Sequence, residues 1–142
     1  MKKGSAKNFF THEEKDSLIH AIYEAEKQTS GRICIHLDSR GKGDVMARAK
    51  KAFEKLGMAE VKHRNSIIIY LSLSDKTFAI LGDQGIHACV GDQFWKEVAS
   101  KMTHAFSENN FVEGTVEAID WLGAHLKKHF PREAGDISEL PD

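Results

Sequence analysis

Asn65–Ile86 reads NSIIIYLSLSDKTFAILGDQGI, and the fold turns on it. Ile67, Ile68, Ile69, Tyr70 and Leu71 form a near-continuous apolar run, the pattern of a strand covered on both faces. Ser74, Asp75 and Lys76 make a short polar break before a second run, Thr77, Phe78, Ala79, Ile80 and Leu81. Two such runs across a short break predict a β-hairpin, and Gly82-Asp83-Gln84-Gly85 ends its second strand. Helices are therefore expected on both faces of the sheet that contains it.

Working outward toward the N-terminus, Thr11-His12-Glu13-Glu14 fits a capping box. Leu18, Ile19, Ile22 and Ala25 recur at helical spacing, so the first helix is expected to run to about Gln28. Thr29-Ser30-Gly31 should stop it, with Gly31 in a left-handed C-terminal conformation. RICIHLD, residues 32–38, alternates as a strand. The loop Ser39-Arg40-Gly41-Lys42-Gly43 is basic, and Asp44 is a good N-cap for a second helix. In that helix Val45, Ala49, Ala52, Phe53 and Leu56 form the apolar stripe, and Gly57 ends it. Strand, helix and hairpin strand then make a β-α-β unit, which predicts parallel strands and a right-handed crossover.

Toward the C-terminus, Ile86–Val90 reads as a short apolar segment, and Gly91-Asp92 as the opening of a third helix. Its stripe is Phe94, Trp95, Val98, Met102, Ala105 and Phe106. After a break at Asn109-Asn110, a fourth helix carries Val112, Val116, Ile119, Leu122 and Leu126 and ends near Phe130-Pro131. Residues 1–8 read as a mobile arm, with Phe9 and Phe10 docking on the domain. Residues 132–142 hold Glu133, Asp136, Glu139 and Asp142 against one arginine, an acidic and disordered tail by composition.

These 142 residues predict one domain. Lys+Arg 20 against Asp+Glu 21 leaves a net charge of −1, so no basic excess points to nucleic acid. No apolar run reaches the ~20 residues of a membrane helix, and no secretory signal is visible. The expectation is a soluble, cytoplasmic monomer without membrane insertion. Cys34 and Cys89 stand in apolar contexts without a C-x-x-C and read as unbonded core thiols.

The order helix-strand-helix-strand-strand-helix-helix, carried by TSGRICIHL, GDVMARAKKAFEKLG, NSIIIYLSLSDKTFAI and GDQGIHACVGDQFW, resembles the TPM domain family over about residues 9–131. The family takes its name from a thylakoid lumen protein, a photosystem II repair protein and a nematode receptor accessory protein. The resemblance implies a three-layer α/β/α Rossmann-like sandwich, with a mixed sheet of three to four strands and about four helices. It also implies divalent metal binding, and acid phosphatase activity in the manner ascribed to plant members. The glycines of the turn after the third strand stand at 82 and 85 rather than in G-x-G spacing.

No G-x-G-x-x-G, G-x-x-x-x-G-K-[ST], G-x-S-x-G or H-E-x-x-H is present. Gly41-Lys42-Gly43 has the place of a phosphate loop, and His125 and His129 the spacing of a metal pair, but a plain loop and a helix C-terminus account for them. The acidic residues carry more. Asp38 ends the first strand, Asp44 opens the second helix and Asp75 lies in the hairpin turn. Parallel pairing brings these to the carboxyl edge of the sheet, where α/β folds bind ligands. With Ser39, Ser72 and Ser74 they form an oxygen-rich set suited to Ca²⁺ or Mg²⁺, the cofactors expected. Asp83 and Asp92 are a second group at the opposite edge, roughly 17 Å away, where a second ion could use the Gly82–Gly85 carbonyls. Asp44 and Asp92 also have an ordinary use as helix caps, and Asp75 as a turn residue. The reading is a metal-binding domain acting in interaction or assembly with another protein; the alternative is a metal-dependent phosphatase on phosphoesters, and a third is a scaffold without metal.

Overall fold

The structure, a computed structural model, describes residues 10–39 and 42–132. The arm at 1–8, the docking of Phe9, Gly41 and the tail beyond Arg132 lie outside the described residues. Helix α1 is His12–Glu26, strand β1 Arg32–Asp38, helix α2 Val45–Lys55, strand β2 Ser66–Ser72 and strand β3 Thr77–Gly82. Helix α3 is Gln84–Ser107 and helix α4 Phe111–His129, with a single 3₁₀ turn at Met58–Glu60. Among the described residues there are thus four helices and a mixed three-stranded sheet in the order β1-β2-β3.

β2 is central, and all seven of its residues are buried. It runs parallel to β1, with Ile35 opposite Ile69, and antiparallel to β3, with Tyr70 opposite Ala79. Ile67, Ile69 and Leu71 turn to one face and join Leu18, Val98, Met102, Ile119, Leu122 and Leu126 in the main core. Ile68 and Tyr70 turn to the other and meet Ala49, Phe53 and Met58. Three helices therefore cover one face and α2 alone the other. Phe10 is buried in the main core.

The capping box of α1 forms as expected: the Glu14 amide donates to Thr11 Oγ1 at 3.0 Å, and the Thr11 amide to Glu14 Oε1 at 2.8 Å. Gly57 ends α2 in the left-handed region at φ 69°. Gly31 does not behave that way. Only Gly43, Gly57 and Gly91 have positive φ among the described glycines, and α1 closes on Lys27 in a right-handed conformation. Gly31 is instead a point of close approach, where a Cβ would lie 2.7 Å from the Leu126 side chain.

The third helix also begins earlier than its pattern indicates. Asp83 caps it, and Gln84–Val90 is helical rather than a loose apolar segment. Gly91, at φ 78° and ψ 173°, interrupts the helix just before Asp92. The seven residues ahead of that break are too few for a helical period to stand out. Once they are helical, Ile86 points inward and Cys89 outward. Cys89 is consequently exposed rather than a core thiol, while Cys34 is half-buried and both are free. Burial pushes the Cys34 thiol pKa up.

Gly85 fixes how this helix enters. Its amide donates to the Arg64 carbonyl at 2.8 Å, and a Cβ there would lie 2.1 Å from the His63 carbonyl oxygen and 2.6 Å from that of Arg64. Backbone atoms cannot move aside as a side chain can. Gly85→Ala should therefore cost about 2 kcal/mol or more, lowering Tm by about 5 °C or more. A thermal melt within a degree of the parent would show that the α3 entry is not so constrained.

Candidate functional site

Asp38 and Asp75 do converge at the carboxyl edge of the β1–β2 pair, because parallel pairing sets Asp38 opposite Ser72, at the exit of β2 into the hairpin turn. What joins them is a side chain on α2. The Arg48 guanidinium donates through one nitrogen to Ser72 Oγ at 2.8 Å and lies 3.5 Å from Asp38 Oδ2. Its other terminal nitrogen donates to Asp75 Oδ2 at 3.2 Å and to the Gly43 carbonyl at 3.1 Å. The Tyr70 hydroxyl donates to Asp38 Oδ2, and its ring lies 5.8 Å from the guanidinium carbon. The His36 ring stacks on that of Tyr70, with centroids 5.1 Å apart. Asp44 is the N-cap of α2, accepting from the Ala47 amide at 2.9 Å.

Electrostatics follow from this pairing. Burial and the hydrogen bond to Asp38 push the Tyr70 hydroxyl pKa up, so it stays protonated. The Ser72 hydroxyl, Thr77 and the Arg48 charge hold the Asp75 carboxyl below its ordinary value. Neither group is an activated nucleophile.

The second acidic group is divided. Asp83 N–H donates to the Ser66 carbonyl at 2.9 Å, at the opposite end of β2 from Ser72. Its carboxylate takes a two-pronged contact from Arg64, at 2.5 and 2.9 Å, and caps the Gln84 amide at 2.8 Å. Asp92 is exposed and meets His87 Nε2 at 3.4 Å, while His87 Nδ1 accepts from the Trp95 indole at 2.9 Å. Asp83 and Asp92 thus take separate partners. Among the described residues, no three His, Cys, Asp or Glu side chains gather as a ready metal cage. His125 Nδ1 bonds to the Trp121 carbonyl of its own helix, with its ring packed on Phe94 at 4.6 Å.

Arg48 and Arg64 were missed by sequence reasoning. A signal existed for the first. Arg48 falls between Val45, Ala49 and Ala52, on the inward side of α2, where a charge must find partners. Arg64 left only its place in a polar loop, which says nothing of its contacts.

Two outcomes check this network. Tyr70→Phe removes a donor to a carboxylate and should cost about 1.5 kcal/mol in urea denaturation; no loss would mean that the hydroxyl bond is not formed in solution. Asp75 should contribute a pH-dependent term. With its folded pKa depressed, the unfolded chain binds more protons in acid, so the stabilisation is present above the ordinary carboxylate value and lost as pH falls through the lower folded one. The difference in unfolding midpoint between the parent and Asp75→Asn should be widest above about pH 5 and shrink as acid is added below about pH 4. A difference that stays constant down to about pH 3 would rule out the depressed carboxyl.

Comparison with known proteins follows the same architecture. No curated protein sequence matches the chain. The NMR structure of BA42 from the psychrophilic bacterium Bizionia argentinensis is similar over 96% of this chain and 94% of its own, at 40% identity and a TM-score of 0.87. The N-terminal domain of cg2496 from Corynebacterium glutamicum shares the fold at a TM-score of 0.68 and 12% identity, over 94% of this chain and 84% of its own. The N-terminal domain of a P. gingivalis protein does so at 0.68 and 14%, over 89% and 83%. Among the described residues no helix is long and apolar enough to cross a membrane. The TPM domain profile matches residues 5–125, most of the sequence, and the chain belongs to the TPM domain family.

Proposed function

We propose that the domain is a cation-binding and assembly module, in which Ca²⁺ or Mg²⁺ competes with the Arg48 guanidinium for the oxygens at the carboxyl edge. One observation carries this reading. Two carboxylates, a hydroxyl and a backbone carbonyl from four separate segments all lie within 3.5 Å of a single positive group. Such a set is hard and oxygen-rich, the donor chemistry of Ca²⁺ and Mg²⁺. Asp38 and Asp75 would hold the ion, and Asp44 would join from the start of α2, next to the Gly43 carbonyl. Arg48 would have to leave, so affinity is set by the difference between two cations rather than by the carboxylates alone. A second site at Asp83 would face the same competition from Arg64, and Asp92 from His87.

The arrangement favours binding over hydrolysis. A metal-dependent phosphatase needs a nucleophile or a base beside the ion. Here the Tyr70 hydroxyl is held protonated against Asp38, and the Ser72 hydroxyl accepts from Arg48.

Removing the competing cation tests the proposal. Arg48→Gln should bind Ca²⁺ about tenfold more tightly than the parent chain, and its Tm should rise more on adding millimolar Ca²⁺. Amide shifts should gather at residues 38, 43–48 and 72–77, and Asp75→Asn should weaken them. If neither the parent nor Arg48→Gln responds to Ca²⁺ or Mg²⁺ in melting or in these resonances, the edge is an internal clamp and binds no ion. Turnover of a generic phosphoester with Mg²⁺, lost in Asp38→Asn, would instead favour the phosphatase.

A further inference from the structure

β1 is an edge strand, and its backbone is open in a definite pattern. The Asp38 carbonyl accepts from the Leu73 amide at 2.8 Å, so the even-numbered residues of β1 turn their backbone groups toward β2. The Ile33 amide donates away from the sheet to Glu26 Oε2 at 2.8 Å, so Ile33, Ile35 and Leu37 turn theirs outward. No described residue takes the outward amides of Ile35 and Leu37. Pro131 pairs antiparallel with Thr29, ahead of the strand rather than along it.

A trench of about 490 Å³ follows this edge at residues 32–35. Ile19, Ile22 and Tyr23 of α1 form one wall, and Leu56 and Met58 the other. Among the described residues four large hydrophobic side chains are exposed, and three of them, Ile19, Tyr23 and Leu56, border this trench. An edge strand with apolar walls on both faces of its sheet is a template for one more strand.

The sequence of β1 complements itself when reversed. Antiparallel pairing of two copies about Ile35 sets Ile35 against Ile35, Ile33 against Leu37 and Cys34 against His36. It also sets Arg32 against Asp38 at both ends, opposite charge against opposite charge. The backbone agrees, because the outward residues 33, 35 and 37 then face 37, 35 and 33 of the second copy, as hydrogen-bonded pairs require. The faces agree too. Ile33, Ile35 and Leu37 lie on the main-core side of the sheet, so their mates join them on the side of Ile19 and Tyr23. An axis at Cys34 or His36 would keep the backbone parity but lose both charge pairs. The Ile33 amide would pass from Glu26 to the Leu37 carbonyl of the second copy, while Glu26 keeps Arg32, at 3.6 Å.

We propose that β1 is a dimerisation edge, where a second copy of this chain adds its own β1 antiparallel about a two-fold axis at Ile35 and joins the two three-stranded sheets into one. This dimer names the partner for the assembly half of the proposed function, on which it rests, and it requires no ion. The monomer expected of the sequence would be the dilute form. Sedimentation of the whole chain in EDTA, from micromolar to millimolar concentration, tests this beside amide exchange. The parent should pass from monomer to dimer, and its Ile35 and Leu37 amides should exchange at least about tenfold more slowly in the dimer. Tyr23→Lys/Leu56→Lys changes only exposed side chains and should weaken the dimer by about tenfold or more, with the melting temperature of the dilute chain unchanged. A parent that stays monomeric throughout overturns the dimer, even where Ca²⁺ still shifts its resonances and the cation site stands. A dimer that leaves exchange at Ile35 and Leu37 unchanged uses another surface and overturns it too. So does protection of these amides that is the same at every concentration, since the chain would then cover its own edge.

Discussion

A strand with no exposed residue has to be covered on both faces and along both edges of its length, and the rest of this fold answers that demand. Ile67–Leu71 cannot lie at a sheet edge without exposing apolar surface worth about 25 cal/mol per Å². β1 and β3 take its two sides, and helices its two faces. The odd residues of β2 enlist α1, α3 and α4, and the even ones enlist α2. Even the connection lengths follow, since a parallel neighbour requires a crossover and α2 is that crossover.

The buried strand also dictates where charge can go. Its polar groups are confined to its two ends, and at each end an arginine from outside the sheet meets an aspartate at the strand boundary. Arg48 closes the Ser72 end through Asp38 and Asp75, and Arg64 the Ser66 end through Asp83. The two contacts differ in character. Arg64 grips one carboxylate with two nitrogens, whereas Arg48 divides its donors among four segments that are distant in sequence.

The sheet order, the burial of β2 and the caps at Thr11 and Asp44 were all legible, because each rests on a local rule: apolar runs, a hydroxyl or carboxylate ahead of a helix, a polar break in a hairpin. The convergence of Asp38 and Asp75 was legible too, as a consequence of parallel pairing. What filled the gap between them was not. Three carboxylates call for a cation, but the pattern does not say whether an ion or a guanidinium supplies it, since that depends on the length and direction of one side chain from the neighbouring helix. Gly31 and the start of α3 were misread for a related reason. A glycine near a helix end fits both a left-handed cap and a tight contact, and only the position of Leu126 decides between them.

The unequal covering of the sheet has a bearing on motion. One face carries three helices and a continuous core, while the other carries α2 on two small apolar clusters. Arg48 rides on α2, whereas Asp38 belongs to β1 and Asp75 to the hairpin turn. A local opening of α2, short of unfolding the whole molecule, would carry the guanidinium away and leave the two carboxylates facing solvent together. The clamp on the acidic edge and the single-helix layer are therefore one part, and whatever binds that edge would sample it through the movement of a single helix.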